Sequence, residues 1–150
     1  MKTFLIITTL LILFNACSYD NAFSSFDITP KQAQSENSIL SSKIQNKSQV
    51  NGIISVVYLN DVLPKEYRDS EYFYVSLYTK DKTEVSFLLN DTQPLSIENL
   101  PAKNKFSTLT SFSPEWQKYY LVHFAEQGKS LAFMAKNSTF SSEKMLFKKY

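Results

Sequence analysis

Glu71-Tyr72-Phe73-Tyr74-Val75-Ser76-Leu77-Tyr78-Thr79 is the stretch whose pattern decides the fold. Phe73, Val75 and Leu77 fall on one face. Tyr72, Tyr74, Ser76 and Tyr78 fall on the other. Alternation with period two is the signature of a strand, whose side chains point to opposite sides in turn. Asp81-Lys82 follows as a turn signal.

Working outward, the same texture repeats. Upstream, Ile53-Ile54-Ser55-Val56-Val57-Tyr58-Leu59 is β-branched and nearly all apolar, as in a buried strand. Asn60-Asp61 and Pro64 end it. Downstream, residues 85–89 form the next short run, closed by Asn90-Asp91 and Pro94. Leu95 and Ile97 mark a brief strand before Pro101. Residues 102–116 read as irregular, with Trp116 expected to plug one end of the core. Residues 119–125 read as a strong strand and 130–135 as its return. The loop Glu126-Gln127-Gly128-Lys129 between them reads as a hairpin, with Gly128 supplying a positive φ. Residues 144–147 supply a last strand. About seven short strands and no long helical pattern predict an all-β fold, an immunoglobulin-like antiparallel β-sandwich of roughly 100 residues. Cys17 is the one cysteine, so packing rather than an internal disulfide must hold the core.

The segment before this domain is different. Residues 18–49 are polar, rich in Ser, Asn and Gln, and read as a tether. Thr29-Pro30-Lys31-Gln32 carries a helix-start signal, and Leu40 and Ile44 follow at helical spacing. A short helix over 30–41 and an edge strand over 39–44 both remain open. The expected division is a signal peptide over 1–16, the cysteine and tether over 17–49, and the sandwich over 50–150.

Composition narrows the function. The chain has 150 residues and a net charge of +2, with no like-charge run, so there is no electrostatic case for nucleic acid. Two glycines argue against phosphate-cradling loops. His123, the one histidine, reads as a half-exposed strand residue, since neither a Ser-His-Asp arrangement nor a zinc set accompanies it. Glu66, Asp69 and Glu71 form an acidic group interleaved with Lys65 and Arg68, which reads as a solvated loop. No catalytic, cofactor-binding or metal-binding residue is expected, and no cofactor. The tyrosines stand out. Tyr72, Tyr74 and Tyr78 share one face of one strand, either as a partner-binding surface or as cross-strand aromatic packing.

The N-terminus addresses the chain. Lys2 precedes an apolar run over 4–14, interrupted by Thr8 and Thr9. It is shorter than the roughly 20 residues a spanning helix needs, and fits the apolar core of a secretory signal. Leu13-Phe14-Asn15-Ala16-Cys17 follows and resembles the lipobox of bacterial lipoproteins. That resemblance implies lipidation of Cys17 and cleavage before it; ordinary cleavage after Ser18 would instead release the protein. Three acyl chains, as that pathway implies, anchor firmly where one would bind marginally. Ser18 rather than Asp follows the cysteine, so the outer membrane is the expected address. With this start, Val57-Tyr58-Leu59-Asn60-Asp61 and Trp116-Gln117-Lys118-Tyr119-Tyr120-Leu121-Val122 resemble small lipoproteins of Campylobacter and its relatives that carry an immunoglobulin-like domain. The resemblance implies a binding role in the cell envelope, with adherence at the surface as one form of it, and carries no catalytic residue across. The expected partners are the bilayer, through acylated Cys17, and a protein or host-surface molecule. A periplasm-facing accessory subunit of an envelope assembly is the alternative.

Overall fold

Residue 73 is a useful place to enter the structure, a computed structural model that describes residues 38–81, 84–110 and 113–149. The Phe73 side chain is fully buried between two sheets. Its ring meets Tyr58, Phe124, Phe133 and Phe147 at centroid distances of 5.0 to 5.8 Å. Contributions from four other strands to one aromatic cluster are what a two-layer β fold provides.

The strands are β1 (Ile39–Gln45), β2 (Val50–Tyr58), β3 (Glu71–Thr79), β4 (Ser86–Leu89), β5 (Ser96–Leu100), β6 (Lys118–Phe124), β7 (Ser130–Lys136) and β8 (Met145–Lys148). One turn of helix, α1 (Leu59–Val62), follows β2, and a 3-10 turn spans Ser107–Leu109. Two sheets result, β1-β2-β3-β6-β5 and β4-β7-β8. Every pairing between neighbouring strands is antiparallel. The inward face of the larger sheet, with Ile54, Val56, Phe73, Val75, Leu77, Val122 and Phe124, packs on Phe87, Leu89, Leu131, Phe133 and Phe147 of the smaller. The described residues are thus all-β and sandwich-like, with strands from end to end and almost no helix.

The larger sheet is covered on its outward face as well. There Val57, Tyr74 and Tyr119 pack beneath Leu59 and Val62 of α1, Tyr67, and Phe106 and Leu109 at the 3-10 turn. Asn104 organises that last cover. Its side-chain oxygen accepts the Phe106 N–H at 2.8 Å, and its amide donates to the Pro101 carbonyl at 2.8 Å.

Several sequence expectations change. Of the two alternatives around 39–44, the described residues form the edge strand, so the folded unit starts by Ile39 rather than at 50. Ile44, fully buried, anchors that strand, while Ser41 and Lys43 face outward and give it the look of tether. Among the described residues eight strands stand where about seven were expected. The 126–129 loop is not a hairpin, because β6 and β7 belong to different sheets and the loop crosses between them. Gly128 accordingly has no positive φ; among the described residues the left-handed ones are Asp69, Asn90 and Asp91. Trp116 does not plug the core. It is 60% exposed, its ring set edge-on against Tyr78 at 5.2 Å on the outward face. The stretch expected to hold the signal peptide, Cys17 and the tether up to residue 37 lies outside the described residues.

Candidate functional site

The three tyrosines of β3 share the outward face, as alternation requires, yet meet three different surroundings. Tyr74 is buried, at centroid distances of 5.2 Å from Phe106 and 6.1 Å from Tyr119. Burial raises its phenol pKa, partly offset by hydrogen bonds from Asn104 and Ser113. It is core, which corrects its place in the candidate binding face. Tyr72 is half-buried, stacked on His123 at 4.4 Å and 2° and flanked by Tyr67 at 4.9 Å. Only Tyr78 reaches solvent with much of its ring. Opposite it on β2 is Ile53, and Trp116 packs beside it, a small exposed apolar patch at one end of the sheet.

His123 is half-buried, as a strand residue with one covered face should be. Its Nε2 is enclosed and has no hydrogen-bond partner among the described residues. The acidic group is dispersed. Glu71 turns inward and is fully buried, while Glu66 and Asp69 stay at the surface. Glu71 Oε2 accepts from Tyr58 Oη at 2.5 Å. Its Oε1 accepts from the Gln127 N–H at 2.9 Å and from Lys149 Nζ at 2.8 Å. Burial alone would raise the carboxyl pKa, but Lys149, Tyr58 and the Gln127 amide together outweigh it and hold the group ionised. Each partner is engaged, so the knot fastens the chain. Among the described residues no three His, Cys, Asp or Glu side chains cluster in a way that would hold a metal ion.

The two long sides of the sandwich differ. On the β1/β8 side the layers are sewn together. Gln45 N–H donates to the Ser141 carbonyl at 2.9 Å, Ser141 N–H returns the bond at 3.0 Å, and Glu143 N–H donates to Ser42 Oγ at 3.0 Å. On the β4/β5 side they separate, leaving a groove of about 370 Å3. Leu77 and Tyr120 of the larger sheet form its floor. Val85 and Phe87 wall it on the β4 side, Ile97 and Asn99 on the β5 side, and Glu84 and Lys118 stand at its mouth. Phe87 packs edge-on against Tyr120 at 5.3 Å. Burial, and then the charge of Glu84, raise the Tyr120 phenol pKa, so it stays a neutral donor. The groove lies within the roughly 300–1,000 Å3 of small-ligand pockets, mixing apolar walls with a few polar groups.

The groove residues come from stretches up to 43 positions apart along the chain, from Leu77 to Tyr120, and the sequence reading singled out none of them as a site. The available signal was Ile97, an apolar residue in a strand flanked by prolines. No protein-family model, no curated protein and no solved structure matches the chain.

Proposed function

We propose that this chain is a bacterial envelope lipoprotein, anchored through acylated Cys17, whose immunoglobulin-like domain is a non-enzymatic binding module. The observation that carries the binding reading is the asymmetry of the sandwich. One side is sewn shut by reciprocal backbone bonds, while the other holds an open groove with apolar walls. Glu71, the buried carboxylate with a shifted pKa, is bound up in structural hydrogen bonds, which supports binding rather than catalysis there.

The immunoglobulin-like reading is supported by strand order. β2-β3-β6-β5 facing β4-β7-β8 follows the A-B-E-D and C-F-G arrangement of constant-type domains, with β1 added outside the first strand. The lipid anchor is supported by the sequence 13–17, and β1 lies about 20 residues beyond the cysteine along the chain.

The test is palmitate labelling of wild type and Cys17→Ala, with protease shaving of intact cells and a periplasmic protein as control. The expected result is label on wild type only, with clipping ahead of Ile39 while the periplasmic control survives, the outcome for an outward-facing adherence module. Absence of label from wild type removes the anchor. Protection until the outer membrane is opened turns the reading to the periplasm-facing accessory subunit.

A further inference from the structure

The groove runs beside a strand edge whose hydrogen-bonding phase is fixed. Leu95 N–H donates to the His123 carbonyl at 2.7 Å, and Ser96 sits opposite His123 in the ladder. His123 therefore turns its peptide groups toward β5. In an antiparallel pair, residues that face the neighbour alternate with residues that face away. Ser96, Glu98 and Leu100 face β6, so Ile97 and Asn99 direct their N–H and C=O groups out of the sheet. No hydrogen bond from a described residue reaches those groups. The Ile97 and Asn99 side chains point the other way from Glu98, into the groove.

We infer that this side of the sandwich binds an extended segment of another protein, laid antiparallel along β5. The segment carries apolar side chains opposite Ile97 and Asn99, and Lys or Arg opposite Glu98. Backbone pairing supplies a register, and every second side chain of the added strand drops between Ile97 and Phe87 onto Leu77 and Tyr120. Glu98 chooses the partner. A second copy of this chain, pairing Ile97 with Asn99 and Asn99 with Ile97, would set Glu98 directly against Glu98, and like charges directly opposite are destabilising. A cation there is complementary: Glu98 makes no ion pair within 4 Å with a described residue, although Lys105 feels its charge. Pro94 and Pro101 limit the free edge to about one short strand's length, a common safeguard against indiscriminate pairing.

This assignment rests on the binding-module reading and is tested separately from it. The full-length chain in detergent micelles is titrated with acetyl-Ser-Thr-Val-Lys-Val-Thr-Ser-amide and with its Glu-centred counterpart, following amide resonances by NMR. The expected result is saturable shifts at Ile97, Asn99, Lys118 and Tyr120, with the Lys peptide bound about three- to tenfold more tightly. Glu98→Lys reverses that order. Asn99→Pro removes one outward N–H, abolishes binding, and leaves the Tm close to wild type, because the β6 ladder does not use that group. Should Asn99→Pro disturb folding, the Glu98→Lys reversal decides alone. Equal affinity for the two peptides, absence of saturable shifts at millimolar peptide, or shifts confined to Ile53, Tyr78 and Trp116 overturns the assignment. If the peptides fail while lipid labelling and surface exposure hold, the seam loses its role and the anchored binding module stands.

Discussion

Tyr58 Oη donates to Glu71 Oε2 at 2.5 Å, with both residues inside the sandwich. The bond links β2 to β3 at the core's edge. Through Glu71 Oε1 it extends to Gln127, in the crossing loop after β6, and to Lys149 at the chain's end. Lys149 closes the knot with further contacts to Glu126 at 3.4 Å and to the Gln127 carbonyl at 3.3 Å. A charge buried this way is tolerated because its lone pairs are met; remove one partner and the rest are stranded.

Glu71→Gln should therefore lower stability by about 2–3 kcal/mol, the scale of hydrogen bonds to a charged group. The pH dependence has a definite sign. The folded-state pKa of Glu71 lies below its ordinary value of 4.5, so its contribution is present above that pH and lost as pH falls through the folded pKa. Asp61, pushed up by burial and then by Glu71, works in the opposite sense and blunts the acid limb. Tyr58, raised by burial and then by its bond to Glu71, adds stability that is full below its ordinary value of 10.0 and fades at higher pH. Thermal melts from pH 3 to 11 should show both limbs in wild type and a shallower acid limb in Glu71→Gln. An unchanged acid limb in the variant removes Glu71 as its source.

The tyrosines of β3 should separate by four positions of sequence. Tyr74→Ala empties a site beneath Phe106 and should cost about 3–5 kcal/mol. Tyr78→Ala loses an edge-on contact with Trp116 at the surface and should cost no more than about 1 kcal/mol. Urea unfolding of the two variants checks the order; similar losses would mean that Tyr78 is as enclosed as Tyr74.

That contrast marks what local sequence can and cannot carry. Period-two alternation placed all three tyrosines on one face, and they share it. It had no means of reporting that Phe106 and Asn104, some 30 residues on, cover Tyr74 and stop short of Tyr78. Edge strands are hidden for a related reason. In β1 only Ile44 is fully buried, and the outward-facing Ser41 and Lys43 make the segment resemble tether. The 126–129 loop looks like a hairpin from its length and glycine, because whether two successive strands pair or part into different layers is a property of the whole topology. The groove is the extreme case, its lining drawn from four strands and the approach to β4, with no motif in any of them.

Gly52 should resist substitution for reasons of space. It lies in β2 opposite Thr79, and a Cβ built there would stand 2.0 Å from the Tyr78 carbonyl oxygen, a backbone atom that cannot swing aside. Gly52→Ala forces β2 and β3 apart and should cost about 1–3 kcal/mol or more, despite alanine's gentler entropy. A chemical-denaturation midpoint that falls with an unchanged m value is the expected result. A neutral effect would mean that the two strands have room to separate there.

Asn90 combines two roles that substitutions pull apart. It begins the Asn90-Asp91 turn at φ 48°, with Asp91 at 64°, and Leu89 and Thr92 exchange backbone bonds across that turn. Its side chain also reaches β7, accepting the Ala132 N–H at 2.9 Å and donating to the Ser130 carbonyl at 3.0 Å. Asn90→Gly keeps the left-handed backbone and loses both bonds, which places its cost at about 1–3 kcal/mol. Asn90→Ala loses the bonds and adds the strain of a Cβ at positive φ, about 1 kcal/mol more. The expected order of melting temperatures is wild type, then Gly, then Ala. Should Gly match wild type, the bonds to β7 contribute nothing and the turn alone explains the asparagine. Should Ala match Gly, backbone strain is not what this position resists, and the reach across to β7 is the whole of its role.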